Sequence, residues 1–380
     1  MAAQALGGAL AAPRKPGGAA CATCPGRDAP CALPQPAGAS VRLAVVGDYP
    51  TRGEAAEGRA WSGGGVRLLG RGLASIGLQR HEVHWSNAVL CDVAPKDVPK
   101  AAKLCAPRLL SELQAVGAPL LMPTGSHALQ RIMGLAKRPN LQRWRGSVSH
   151  APTTLGGPHA LVLPTLDPVM VSRAERWKPL LEIDVARLGR VLAGGFTPPE
   201  AQEGRSIVVA RTRETLTALL ARLGPEVAFD VETVGLGPTH TALVCFVLSD
   251  GHTTMVVPWS RGLNGLESWW GVGEADVAHE VSEALATRVT VTHNGPAFDH
   301  IVAARYGIRI ARWDDTLLAA HATQSHLPKN LAQVVSQHLD VGPWKQWDHN
   351  GSVDAMWQYC GLDGLYTILT WFAMRERVRA

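Results

Sequence analysis

Asp230 and Glu232 stand two residues apart in AFDVETVGL, residues 228–236, inside an otherwise apolar run. Val227, Phe229 and Val231 alternate as a strand facing a core should, so Ala228, Asp230 and Glu232 share the opposite face. Two ionised carboxylates on one half-buried face repel, and the pair is costly unless a cation or strong donors compensate it. A metal at this face therefore calls for further acids. Asp299 lies in the first turn of the helix read in AFDHIVAARYGI, where the helix dipole favours a carboxylate that can point back across the sheet. Tyr359 and Asp363 are four apart in MWQYCGLDGLYTILTWFAM and share a helix face.

The other half of the chain carries a different set. Cys21 and Cys24 form a C-x-x-C pair, and Cys91 and Cys105 a second, wider pair. Metal is the expected use of such cysteines in a soluble intracellular chain. Four thiolates suit zinc or an iron–sulfur cluster, and spacing does not choose between them. Cys31 competes with Cys21 or Cys24 as a ligand. Cys245 and Cys360 lie in apolar stretches and read as core.

At 380 residues, two domains are expected to carry these sets. With 46% hydrophobic and 18% charged residues, and no long apolar run, the chain reads as soluble with no membrane partner. Its first residues lack a basic segment before an apolar one, so residues 1–20 read as a disordered Ala/Gly/Pro-rich arm and the location as cytoplasmic. Residues 1–204 hold 23 Lys and Arg against 14 Asp and Glu, whereas residues 205–380 hold 14 against 18. The basic half suits a polyanion and the acidic half divalent metals, a combination that fits nucleic acid. Gly, Pro and polar residues in LAGGFTPPEAQEGRS place a linker at 196–205, between domains over 21–195 and 206–380. In the second domain, TALVCFVLSDGHTTMVVPW reads as a hairpin turning at Asp250-Gly251, and VTVTHNGPAFDHIVAARYGI as strand, loop and helix capped near Gly307. In the first, VRLAVVGDYPTRGEAAEGRAWSGGGVRLLGRGLASIGL reads as a strand, a loop and a helix.

DVET, HNGPAFD and YCGLD, in that order, resemble the three motifs of the DEDD exonuclease superfamily, in the subgroup ending Tyr-x-x-x-Asp. The likeness covers roughly residues 206–380 and is closest to the proofreading domain of DNA polymerase I-type enzymes. It implies a ribonuclease H-like mixed sheet flanked by helices. It also implies two Mg2+ or Mn2+ ions held by Asp230, Glu232, Asp299 and Asp363, with Tyr359 orienting the attacking water and Asn294 contacting the terminal nucleotide.

The succession from Cys21 to about residue 195 resembles the family 4 uracil-DNA glycosylases, through NAVLC with Cys105, TGSHAL and Arg145-Gly146. That resemblance implies an α/β sandwich around a parallel sheet and a 4Fe-4S cluster on Cys21, Cys24, Cys91 and Cys105, with zinc the alternative. By position, Asp48 stands where the family has Glu, Trp61 replaces the phenylalanine that stacks on uracil, and Asn87 matches the asparagine that reads the base edge. Asp167 stands where the family has a histidine, and an acid stabilises a departing uracil anion poorly at neutral pH.

Together these likenesses imply a proofreading-type 3'-5' DNA exonuclease fused to a uracil-DNA glycosylase-like, DNA-binding domain. The pairing resembles the N-terminal region of certain bacteriophage DNA polymerases and implies single-stranded DNA or 3' ends as partner, with a separate polymerase as a second partner in replication or repair. The alternatives are an exoribonuclease of the ribonuclease D type and a nuclease with a non-catalytic uracil-sensing module.

Overall fold

The structure, a computed structural model, describes residues 17–152, 160–346 and 348–379. Most of the arm expected over residues 1–20 thus lies outside the described residues. The chain divides into two compact units, Met1–Gly195 and Phe196–Ala380. Residues 196–205, expected as a linker, lie within the second unit. They include a 3-10 turn at Pro199–Ala201, and Glu200 accepts a 2.6 Å hydrogen bond from the Tyr366 hydroxyl. Among the described residues no helix is long and apolar enough to cross a membrane.

The first unit runs β1 (Leu43–Gly47), α1 (Arg52–Glu57), α2 (Gly64–Ser75), β2 (Val83–Asn87), α3 (Val98–Val116), β3 (Leu120–Pro123), α4 (Ser126–Ile132), α5 (Leu141–Trp144), β4 (Ser149–His150), β5 (Leu161–Val162), α6 (Pro168–Arg173) and α7 (Lys178–Gly194). Its sheet has the order β2-β1-β3-β5-β4, parallel throughout except between β4 and β5. Every residue of β1 is buried, as a strand covered on both faces requires. The segment expected as a loop between β1 and α2 contains α1. A capping box starts that helix: Glu54 N donates to Thr51 Oγ1 at 3.3 Å and Thr51 N to Glu54 Oε2 at 2.8 Å. Gly65, in the glycine run that opens α2, lets the helix approach α6, because a Cβ there would come within 2.9 Å of Val169.

The second unit runs β6 (Ser206–Val209), α8 (Arg213–Leu220), β7 (Glu226–Val234), β8 (Ala242–Ser249), β9 (Thr253–Pro258), α9 (Glu274–Ala286), β10 (Val289–Thr292), α10 (Asp299–Arg305), β11 (Trp313–Asp315), α11 (Thr316–Thr323), α12 (Leu331–His338) and α13 (Val353–Arg379). The sheet order is β11-β10-β7-β8-β9-β6, with β8 antiparallel to both its neighbours and the remaining pairs parallel. A meander of three strands followed by two that return on the far side of the first, with helices on both faces, is the ribonuclease H-like arrangement. Val227, Phe229 and Val231 face the larger core with α9 and α10, and Ala228 faces Ile368 and Trp371 of α13. The hairpin turns at Gly251, whose φ of 92° suits glycine.

One ionic network fixes the closing helix of the first unit. Asp184 on α7 is fully buried and accepts from Arg145 Nη2 at 2.5 Å, Arg145 Nε at 3.1 Å and Thr165 Oγ1 at 2.7 Å. Arg187 donates from the same helix to the Gly146 carbonyl at 2.5 Å. These bonds explain the Arg145-Gly146 pair in structural terms, since Gly146 has φ 70° and a Cβ there would strike Arg187. Asp184→Ala takes the carboxylate from a buried ion pair with Arg145, so it should destabilise the first unit by about 3 kcal/mol or more. Urea denaturation of the two chains measures this, and a loss near zero would contradict the role given to the network.

Candidate functional sites

Strand β7, central in the second unit's sheet, carries two of the acids, and other elements complete their site. Asp230 and Glu232 project from β7 on the face opposite the larger core, and Asp363 reaches them from α13. Candidate ligand oxygens of these three residues lie within 4.8 Å of one another. Asp299, first residue of α10, is 4% exposed and accepts from the Val231 backbone N–H at 3.1 Å, which pins it beside the pair. Tyr359 lies one turn before Asp363.

The loop ahead of α13 adds two groups that motif spacing did not reveal. Trp344 Nε1 donates to Asp363 Oδ1 at 2.6 Å, and Lys345 Nζ donates to Asp363 Oδ2 and to the Tyr359 hydroxyl, the latter at 2.6 Å. Lys345 also lies over the Tyr359 ring, 4.4 Å from its centroid, and His349 stacks on that ring at 4.1 Å. The only sequence signal for Lys345 is a cation ahead of a helix in an acidic half, which by itself is more often a solvated residue.

Asn294 is exposed and held at φ 66°, a conformation asparagine tolerates better than most residues. It makes no capping bond to the turn that follows it. Asp315 secures its loop by accepting from Gly295 N at 2.9 Å and Thr292 Oγ1 at 3.0 Å, and also caps α11 through Leu317 N at 2.9 Å and Leu318 N at 3.1 Å. Gly295 is required here, because a Cβ would come within 2.3 Å of Thr292 Oγ1. Beneath the acids, Cys245 and Cys360 are fully buried.

The electrostatics follow from crowding. Burial, then the charges of Asp299 and Asp363, raise the Asp230 carboxyl well above its ordinary range. Burial, then Asp230 and Asp363, do the same for Glu232. Burial lifts Asp299 to about 7 against the lowering bond from Val231. Burial opposes the charge on Lys345, but Asp363, Tyr359 and Asp230 outweigh it and hold the ammonium charged.

In the first unit a cavity of about 960 Å³ is lined by Asp48, Trp61, Asn87 and Asp167 together, with Arg138 and Arg173. Asp48 and Asn87 stand at the C-terminal ends of neighbouring parallel strands, and Asp167 starts α6. The Asp48 carboxylate accepts from His127 N and Ala128 N, each at 2.8 Å, and so caps α4. Gly125 makes room for it, since a Cβ would sit 2.0 Å from Asp48 Oδ1. Burial raises the Asp48 carboxyl despite those bonds. Gly47 likewise accommodates Asn87, whose Oδ1 would lie 2.3 Å from a Cβ there. Trp61 is 7% exposed, stands at φ 57°, and donates Nε1 to the Ser86 carbonyl at 2.8 Å. A bulky residue in that backbone region is strained and persists only where its surroundings fix it. Asp167 caps α6 by accepting from Val169 N at 2.8 Å; desolvation by the cavity walls raises its carboxyl, and the nearby Asp48 adds to the rise.

The cysteines also converge. Cys24, Cys31 and Cys91 belong to one buried cluster, and Cys105 is 6% exposed. Gly26 N donates to Cys24 Sγ at 3.4 Å, while a Cβ on Gly26 would lie 3.5 Å from Cys91 Sγ. Burial raises the Cys105 thiol, and Cys24 and Cys21 are close enough to add to that. Cys31 pairs with Cys91 through the backbone. Among the described residues no three cysteine sulfurs lie within 4.8 Å of one another.

With both sites in view, comparison with known proteins separates the units. Residues 35–187 match the family model of the uracil DNA glycosylase superfamily. They form a domain of that superfamily. A type-4 uracil-DNA glycosylase of Archaeoglobus fulgidus is 32% identical over 99 residues, covering 24% of this chain and 48% of that protein, so the match spans about half the relative's length. Several solved structures resemble the C-terminal region, each at a low TM-score. The catalytic core of RRP6 from Trypanosoma brucei superposes with a TM-score of 0.36 and 17% identity over 46% of this chain and 48% of that one. Brucella melitensis NrnC does so with a TM-score of 0.33 and 23% identity over 42% and 75%.

The raised acids set a sign for pH. A carboxyl whose folded pKa lies above its unfolded value of about 4 stabilises the fold fully below that value and loses the contribution as pH rises through the folded one. With Asp299 at about 7, metal-free protein should lose stability from about pH 4 to 7. Saturating Mn2+ should restore it, and the Mn2+-dependent increment in melting temperature should grow over that range. Lys345→Met should enlarge the increment, because the acids then lack their internal cation. A Mn2+ increment that is flat with pH and unchanged in the variant would contradict this account.

Proposed function

We propose that the second unit is a metal-dependent 3'-5' exonuclease for single-stranded DNA, and that the first is a uracil-recognising DNA-binding domain with slow or absent base excision. The convergence of Asp230, Glu232 and Asp363 within 4.8 Å carries the nuclease reading, because such a cluster is repulsive unless cations fill it. Asp230, Glu232, Asp299 and Asp363 would hold two Mg2+ or Mn2+ ions, which when bound activate water and stabilise the leaving oxygen. Tyr359, its hydroxyl fixed by Lys345, orients the attacking water. Lys345 holds Asp363 in place before cations arrive. Asn294, exposed on its constrained loop, meets the terminal nucleotide. Removal of 3' nucleotides suits replication or repair, in company with a separate polymerase.

The test is digestion of end-labelled single strands with and without Mn2+. Asp230→Ala should abolish cleavage by at least about 100-fold without loss of fold, and Tyr359→Phe should slow hydrolysis while Mn2+ affinity is kept. Near-normal cleavage by Asp230→Ala would refute the site. Faster digestion of RNA than of DNA of the same sequence would replace the substrate by RNA.

In the first unit, an extruded uracil would stack on Trp61 and meet Asn87 in the cavity. Cys21, Cys24, Cys91 and Cys105 would hold a 4Fe-4S cluster that ties the N-terminal segment to α3, with zinc the alternative. Protein purified anaerobically should be brown; stoichiometric zinc without iron would overturn the cluster. Asp167→His places a group near the base that can donate and carry positive charge. Uracil release should rise, while stability in urea falls by about 1 kcal/mol through the loss of one N-cap. Efficient uracil release by the native chain would show that Asp167 is no obstacle.

A further inference from the structure

A second cavity of the first unit, of about 580 Å³, is used by neither the uracil pocket nor the cysteines. Its floor is apolar: Leu73, Leu78, Val83 and Trp85 are each no more than 2% exposed. Three arginines also line it, Arg67 and Arg71 from α2 and Arg80 from the turn before β2, and no carboxylate does. Arg67 and Arg71 stand one turn apart on the exposed side of α2. Like charges at that spacing oppose the helix, and neither makes an ion pair among the described residues. Trp85 Nε1 is buried without a hydrogen-bond partner. An apolar floor and unneutralised guanidinium groups together describe a site for a small ligand with a flat apolar body and a strong anion.

We infer that this cavity binds a nucleoside 5'-monophosphate, with its base on the apolar floor and its phosphate between Arg67 and Arg71. The volume suits one such molecule, and guanidinium pairs match phosphate oxygens bidentately. The choice of a monophosphate rests on the exonuclease reading, whose product it is. Occupancy would be felt at the uracil pocket. Arg80 donates to the Trp61 carbonyl at 3.4 Å and lies over the Trp85 ring at 5.5 Å, and the Trp61 and Trp85 rings are 5.3 Å apart. The product of one unit would thus act on the residue that walls the pocket of the other.

Calorimetric titration of the full-length Asp230→Ala chain tests this, because its impaired two-metal site no longer retains a phosphate. The probes are dTMP, thymidine, inorganic phosphate and an eight-residue oligo-dT. Saturable dTMP binding is expected, with thymidine and phosphate each weaker by about tenfold or more. Arg67→Ala with Arg71→Ala should weaken dTMP by about tenfold or more at unchanged melting temperature. The proposal is overturned by an absence of dTMP binding up to about 1 mM. It is also overturned by phosphate binding as tightly as dTMP, by unchanged affinity in the double variant, or by oligo-dT binding where dTMP does not. If dTMP binds as expected and the native chain degrades no strand, the exonuclease reading fails and the cavity assignment stands.

Discussion

The second unit depends on how closely α13 lies against its sheet. Gly361 and Gly364 flank Asp363, and a Cβ on either would come within 2.6 Å of a sheet side chain, Ile207 on β6 and Val247 on β8. That approach carries Asp363 across to Asp230 and Glu232, against the repulsion of carboxylates that burial has already made reluctant to ionise. The apolar packing of Ile368, Trp371 and Met374 on the same helix supplies the force that holds it there. Lys345 and Trp344 then bind the two oxygens of Asp363, so the acid is oriented from one side by the loop and delivered from the other by the helix. Three carboxylates held this close are poorly satisfied without a counter-charge.

The first unit solves a different problem, that of placing polar groups at the ends of apolar strands. Glycine recurs wherever such a group must fit: Gly47 against Asn87, and Gly125 against Asp48. Arg108 on α3 works from the other side. It donates to the Asn87 and Ala88 carbonyls at 2.7 and 3.0 Å and to Glu112 at 2.6 Å, fixing the end of β2 to the helix that also carries Cys105. Helix α3 therefore carries Cys105 and also holds the strand end beside the Asn87 cavity.

Much of this was legible in the chain. The alternation around Asp230, the hairpin at Asp250-Gly251 and the helix after Asn294 are local patterns whose period survives folding. The motif order DVET, HNGPAFD and YCGLD, and the cysteine pairs with NAVLC, carried the two resemblances. What escaped was either short or non-local. Helix α1 has six residues, and its capping box went unread. Asp48 and Asp167, read as pocket residues, are also helix caps, a double role that position in a motif does not disclose.

The sequence alone determined which residues repel, which strands are buried and which side chains share a face, because those follow from charge, composition and periodicity within one element. Tertiary structure alone decided that Lys345 meets Asp363 and Tyr359, that Cys24, Cys31 and Cys91 gather in one buried cluster, and that Arg67, Arg71 and Arg80 gather around Trp85. Each of these joins segments that approach only after loops close and helices dock. Loop closure and docking are set by packing across the whole unit, and no window of neighbouring residues contains that information.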